Sequence, residues 1–194
     1  MRFLLSLSKL IDTLNEFIGK YISIALLLAV LICTGQALLS YFFKLGDISW
    51  SEIQWYLFSA VFLLSAPATL RRNEHVRIDV VTSRFSKRTQ VWIDIFGFLF
   101  FLLSFCFLIF RLGLSYALEA IYSQEKISTG LVAWPARLLI PVSFFLLSLQ
   151  GFSEIIKRVG YLRGLVPASE FDKHALTPEE EIALHLEAMN IKNA

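Results

Sequence analysis

The sequence predicts an all-α integral membrane protein. Four transmembrane helices are flanked by an N-terminal amphipathic interfacial helix and a short cytoplasmic C-terminal helix, with both termini cytoplasmic. Three observations carry this. The 194-residue chain is 56% hydrophobic, with a mean hydropathy of +0.63. Tyr21–Phe43, Ile53–Leu70, Ile95–Phe110 and Leu138–Ser153 contain no charged residue. Finally, Lys and Arg are divided unequally between the segments that separate these stretches.

A spanning helix needs about 20 apolar residues for a hydrocarbon core about 30 Å thick. The first stretch meets that length and the second nearly does. The other two reach it by extending past flanking charges that snorkel to the headgroups. The predicted organisation is an interfacial helix over 1–18, a membrane bundle over 19–160 and a cytoplasmic tail over 161–194. Spans fall at about 20–43, 53–71, 92–117 and 136–157.

The N-terminal segment places Phe3, Leu7, Leu10, Leu14 and Phe17 on one helical stripe, with Ser6, Lys9, Asp12, Thr13 and Glu16 elsewhere. That pattern reads as a helix lying in the interface and joined at an angle to the first span. The alternative is that it simply prolongs that span. Within the first span Ala25, Ala29, Cys33 and Ala37 recur every fourth residue, a seam of small residues along which another helix can approach.

A short loop from Lys44 to Glu52 makes the first two spans an antiparallel hairpin, and Trp50, Trp55 and Tyr56 mark its interface. The second loop alternates polar and apolar residues from His75 to Val80, and Ser86 is placed to cap the third helix. The third span holds seven phenylalanines, Phe96 to Phe110, pointing all round the helix. Beyond it, Gly130 to Pro135 leads back into the membrane, and Pro141 falls one turn into the fourth span, where it favours a kink. In the tail, Thr177-Pro178-Glu179-Glu180 is a helix start and predicts a short helix over 178–190.

Orientation follows from the basic residues. The N-terminal segment, the second loop and the tail hold nearly all of them, against Lys44, Lys126 and Arg137 in the first and third loops. The positive-inside rule puts the richer side in the cytoplasm. The basic loop is thus a topology signal rather than a nucleic-acid site, since no aromatic or motif frame accompanies it.

No enzyme constellation is visible. His75, His174 and His185 all lie outside the spans, and no CxxC, HExxH or P-loop is present. Cys33 and Cys106 each sit within a span as small apolar residues. The acidic run Glu179–Glu181 is a helix cap rather than a metal site. Arg111 falls near the outer interface, where it snorkels or pairs with Glu52 or Glu119. Gln36, Pro67 and Gln150 are the other candidates within the membrane, and the bundle reads as lacking a polar core.

The residues Trp50-Ser51-Glu52, Tyr56-Leu57-Phe58 and Phe62, leading into Arg72-Asn73-Glu74-His75-Val76-Arg77-Ile78-Asp79, resemble the small membrane subunit of tripartite ATP-independent periplasmic (TRAP) transporters, the DctQ family. Ser128, Gly130-Leu131, Trp134-Pro135, Ile140-Pro141-Val142 and Leu149-Gln150 are similar to that family's last loop and fourth helix. The resemblance covers roughly 17–160. It implies a subunit of a sodium-driven bacterial inner-membrane importer of organic acids, such as a dicarboxylate, a sialic acid or another carboxylate. The implied partners are a large multi-span membrane transport subunit (DctM-like), a periplasmic substrate-binding protein (DctP-like) and membrane lipids, with no nucleic acid.

This chain would then act as a scaffold for the elevator-type large subunit and help dock the binding protein. It would hold no cofactor and no catalytic or substrate-binding residue of its own, Na+ being expected in the large partner. Trp50 and Glu52 would serve the periplasmic face. Arg72, Glu74, His75, Arg77 and Asp79 would form the cytoplasmic corner, in contact with partner or lipid, and Arg111 is a further interface candidate. Two other functions compete: a membrane-anchored assembly or signalling scaffold acting through its tail, and an enzyme of lipid or quinone chemistry built on His75 with Glu74 or Asp79.

Overall fold

In a computed structural model of the chain, residues 2–43, 48–72, 85–127 and 129–166 are described. Those residues form helices α1 (Arg2–Phe43), α2 (Ile48–Arg72), α3 (Lys87–Phe96), α4 (Leu103–Tyr122) and α5 (Trp134–Leu162), with a π-helical segment at Gly97–Leu102 joining α3 to α4. Among them are four helical stretches long and apolar enough to cross a membrane: Leu4–Phe43, Trp50–Arg72, Arg88–Tyr122 and Trp134–Leu162. His75 and its neighbours 73–84, Ser128 and the tail from 167, including the predicted helix 178–190, lie outside the described residues.

Helix α1 is uninterrupted through residues 18–20. Its backbone therefore follows the prolonged-span reading rather than a separate segment joined at an angle. Its 42 residues extend about 63 Å at 1.5 Å per residue, twice the hydrocarbon thickness. The side facing the bundle mixes polar and apolar residues and is not the stripe that the periodicity singles out. Leu7, Leu10, Leu14 and Phe17 are exposed, whereas Ser8, Ile11, Asn15, Ile22 and Ala29 are buried. Ser8 and Asn15 turn inward because a buried polar group is stable only beside a partner, here Ser153 and Gln150.

Ser86 caps α3 as its residue type predicts, its Oγ accepting from the Thr89 amide at 3.4 Å. The helix then passes through the π turn without breaking. Such turns carry one extra residue per turn and re-aim the side chains that follow. Here the turn brings Leu102 over Gly151 of α5, where an added Cβ would come within 2.8 Å of the leucine Cδ2.

Helix α5 is the centre of the bundle, packing on α1, α2 and α4. It continues through Pro141, which is buried against Gly113 of α4, where a Cβ would meet the proline Cδ at 3.3 Å. On the other side, Gly19 of α1 lets Ala68 of α2 come so close that a Cβ there would sit 2.8 Å from the alanine Cβ. Small residues at these crossings replace the hydrophobic drive that lipid does not supply.

Candidate functional site

The expectation of a bundle without a polar core is corrected by the contents of the α1–α5 interface. Ser8, Asn15, Gln150, Ser153, Glu154, Lys157 and Arg158 are all buried, Gln150, Ser153 and Arg158 completely. On α5, residues 150, 153, 154, 157 and 158 share one face by their spacing of three and four. On α1, residues 8, 12 and 15 do the same. Two polar stripes of equal period thus face each other.

Asp12 is the hub. Its Oδ1 accepts from Ser153 Oγ at 2.8 Å and from Gln150 Nε2 at 2.9 Å, and its Oδ2 accepts from Lys157 Nζ at 3.1 Å. Asn15 donates to Gln150 Oε1 at 2.7 Å, and the hydroxyls of Ser8 and Ser153 lie 2.7 Å apart. Glu154 takes hydrogen bonds from both Lys157 and Arg158. Arg158 also reaches across to α3, donating its Nε–H to Asp94 Oδ2 at 3.1 Å and lying 4.6 Å over the Phe98 ring.

A buried charge is costly unless it is paired and hydrogen-bonded. Lys157 is 5% exposed, Glu154 3% and Arg158 not at all. Each answers more than one partner, so the layer ties α1, α3 and α5 together at one level. Arg71 brings in α2: its Nη1 donates to the Asp12 backbone oxygen at 3.2 Å and pairs with Glu16 at 2.7 Å. Four segments that are distant in sequence thus meet in one ionic layer. A close chain of such bonds specifies helix register, because a slip of one residue would strand several charges.

The opposite end holds a smaller latch around the loop 123–133. Lys126 and Val132 form an antiparallel bridge. Ile127 N–H bonds the Leu131 oxygen at 2.8 Å, and Gly130, at φ +88°, closes a turn on the Ile127 oxygen at 2.8 Å. That left-handed φ favours glycine. Thr129 donates to Glu52, Tyr56 donates its hydroxyl to the Val132 oxygen at 3.1 Å, and Arg137 pairs with Glu125 at 2.6 Å. Arg137 also lies 4.0 Å over the Tyr116 ring.

Of the residues singled out from sequence, Glu52 is part of this latch and Trp50 stands beside it, half-exposed. Ala29 is fully buried, Ala25 and Cys33 are half-buried, and Ala37 is exposed. Arg72 ends α2. Glu74, His75, Arg77 and Asp79 lie outside the described residues. Arg111 is exposed and forms no ion pair among the described residues, so its pairing with Glu52 or Glu119 is not formed. Glu52 is engaged instead by Thr129, while the Glu119 backbone receives Ser123. Among the described residues no group of three His, Cys, Asp or Glu is placed to hold a metal.

Sequence reasoning missed Asp12, Asn15, Asp94, Ser153, Glu154, Lys157 and Arg158. The matching three-and-four spacing of polar residues on α1 and α5 was the signal that could have found them.

Fold and site together define a multi-pass membrane protein in which buried polar side chains, among the described residues, join helices to one another. The family model described as "Tripartite ATP-independent periplasmic transporters, DctQ component" matches residues 10–160. The chain therefore belongs to the DctQ family, whose members are the small component of TRAP transporters and work with other membrane and periplasmic components. No curated protein and no solved structure matches it.

Proposed function

We propose that this chain is the non-enzymatic scaffold of a sodium-driven importer of organic acids, lying in the bacterial inner membrane with both termini in the cytoplasm. One observation carries this reading. Buried charges clamp α1, α3 and α5 and the part-exposed Arg71 adds α2 to the same frame, while broad apolar helix faces remain exposed, among them Phe62, Phe101, Phe107 and Leu112. A moving transport subunit needs a stationary wall, and this bundle offers one. The carboxylate substrate and Na+ then belong to the large subunit and the binding protein. The half-exposed Trp50 and the Glu52 latch offer the periplasmic component a fixed contact, and the basic second loop with Arg72 marks the cytoplasmic side.

The test is affinity purification of the full chain from native membranes, followed by reconstitution of what elutes. A many-spanning partner in stoichiometric amount, supporting carboxylate uptake driven by a sodium gradient and dependent on the binding protein, is the expected result. A chain that elutes alone, or uptake unaffected by its omission, contradicts the proposal.

A further inference from the structure

We propose that the cleft between the N-terminal part of α1 and the last turn of α2 binds the phosphate of an anionic membrane phospholipid. The cleft has a volume of about 380 Å³ and is lined by Lys9, Asp12 and Glu16 of α1, Arg71 and Arg72 of α2, and Lys157 of α5. Four cations stand against these two carboxylates and Glu154, which pairs with Lys157, so the site stays positive by one charge. Such a site is independent of the transport reading, because placement and charge alone define it.

Placement comes from α2. From Trp50 to Arg71 this helix rises about 30 Å at 1.5 Å per residue, the thickness of the hydrocarbon core. With the Trp50 end at one interface, the cleft lies at the headgroup level of the other. Lys and Arg at a helix C-terminus also answer the helix dipole. That accounts for Arg71 and Arg72 at the end of α2, but not for their convergence with Lys9 and Lys157.

The cleft is also preorganised. Arg71 is held by the Asp12 backbone oxygen at 3.2 Å and by Glu16 at 2.7 Å, which keeps its guanidinium, with five N–H donors, at the wall of the cleft. Lys157 is fixed at the back by Asp12 and Glu154, and Lys9 stands exposed at the rim. A phosphodiester entering from the bilayer accepts charge-assisted hydrogen bonds from exposed Lys9 and from the outer N–H groups of Arg71 while its acyl chains remain in the membrane, and Lys157, held by Asp12 and Glu154, contributes field rather than a donor. Inorganic phosphate offers the same oxygens without that anchorage, so the source must be distinguished by experiment.

The experiment is native mass spectrometry of the full purified chain, offered phosphatidylglycerol or phosphatidylcholine with the same acyl chains. Phosphatidylglycerol is expected to be retained preferentially, and excess inorganic phosphate should not displace it. Lys9→Gln with Arg72→Gln should lower its retention by about fivefold per cation removed, while Lys126→Gln at the opposite end leaves it unchanged. Equal retention of the two lipids, or indifference to the double variant, overturns the proposal. Displacement by inorganic phosphate also overturns it, assigning the cleft to the soluble ion. Should the double variant fail to fold, Lys9→Gln alone decides, and unchanged phosphatidylglycerol retention then rejects the site.

Discussion

Lys157 of α5 holds Asp12 of α1 at 3.1 Å, across 145 positions of sequence, with only 5% of the lysine side chain and 16% of the aspartate exposed. A charge pair so deeply covered is a joint between helices. Its consequences for stability differ from those of the exposed ion pairs common on soluble proteins.

Removing one member of the layer leaves its partner buried without full compensation. Arg158→Ala takes from buried Glu154 one of its two cations and from Asp94 its guanidinium bond, and should cost about 3 kcal/mol, read as a lower midpoint in detergent unfolding. Arg158→Lys should recover less than half of that loss. An ammonium cannot reproduce the fork by which the guanidinium serves Asp94 through Nε and Glu154 through Nη1.

The Asp12–Lys157 joint is best measured by a double-mutant cycle with Asp12→Asn and Lys157→Met. Direct contact within a shared network predicts a coupling of about 1–3 kcal/mol. Additive losses would mean that the two charges are solvated separately.

Two glycine substitutions should separate hard contacts from soft ones. Gly19→Ala drives a methyl group against the Ala68 Cβ, which has no rotamer to yield, and forces α1 from α2 at a cost of about 1–3 kcal/mol. Gly151→Ala meets the far end of the Leu102 side chain, which can turn aside. Its unfolding midpoint should stay close to wild type.

At the opposite end, Tyr56→Phe removes the bond to the Val132 oxygen and should cost about 1 kcal/mol. Thr129→Val releases Glu52. Both should speed hydrogen exchange at Ile127, Gly130 and Ala133, the amides that close this loop. Unaltered exchange there would show that the loop is held by its own backbone alone.

The four spans were legible because runs such as Tyr21–Phe43 satisfy a length requirement that few other structures impose. Ser86 was legible as a cap because its hydroxyl has a local partner. The ionic layer was not. Asp12 and Asn15 lie on a stripe whose polarity is plain, yet amphipathic periodicity does not say which face turns inward, and here Ser8 and Asn15 turn in together with Ile11 and Ile22. Glu154, Lys157 and Arg158 passed for charges at the end of a span because their partners Asp12 and Asp94 are remote in sequence. The π segment at Gly97–Leu102 left no trace in composition, since a run of apolar residues suits α and π turns alike.

The central claim, that this bundle is a stationary frame, is tested most directly by stapling α1 to α5. Ser8 and Ser153 place their hydroxyls 2.7 Å apart, so Ser8→Cys with Ser153→Cys offers two sulfurs within reach of a disulfide. Sodium-driven uptake would be measured in vesicles of the reconstituted complex, oxidised and then reduced. Uptake equal in the two states is the predicted result, because a frame loses nothing by being locked. Uptake abolished by the staple and restored by reduction would contradict the account, showing that α1 and α5 must part during the cycle.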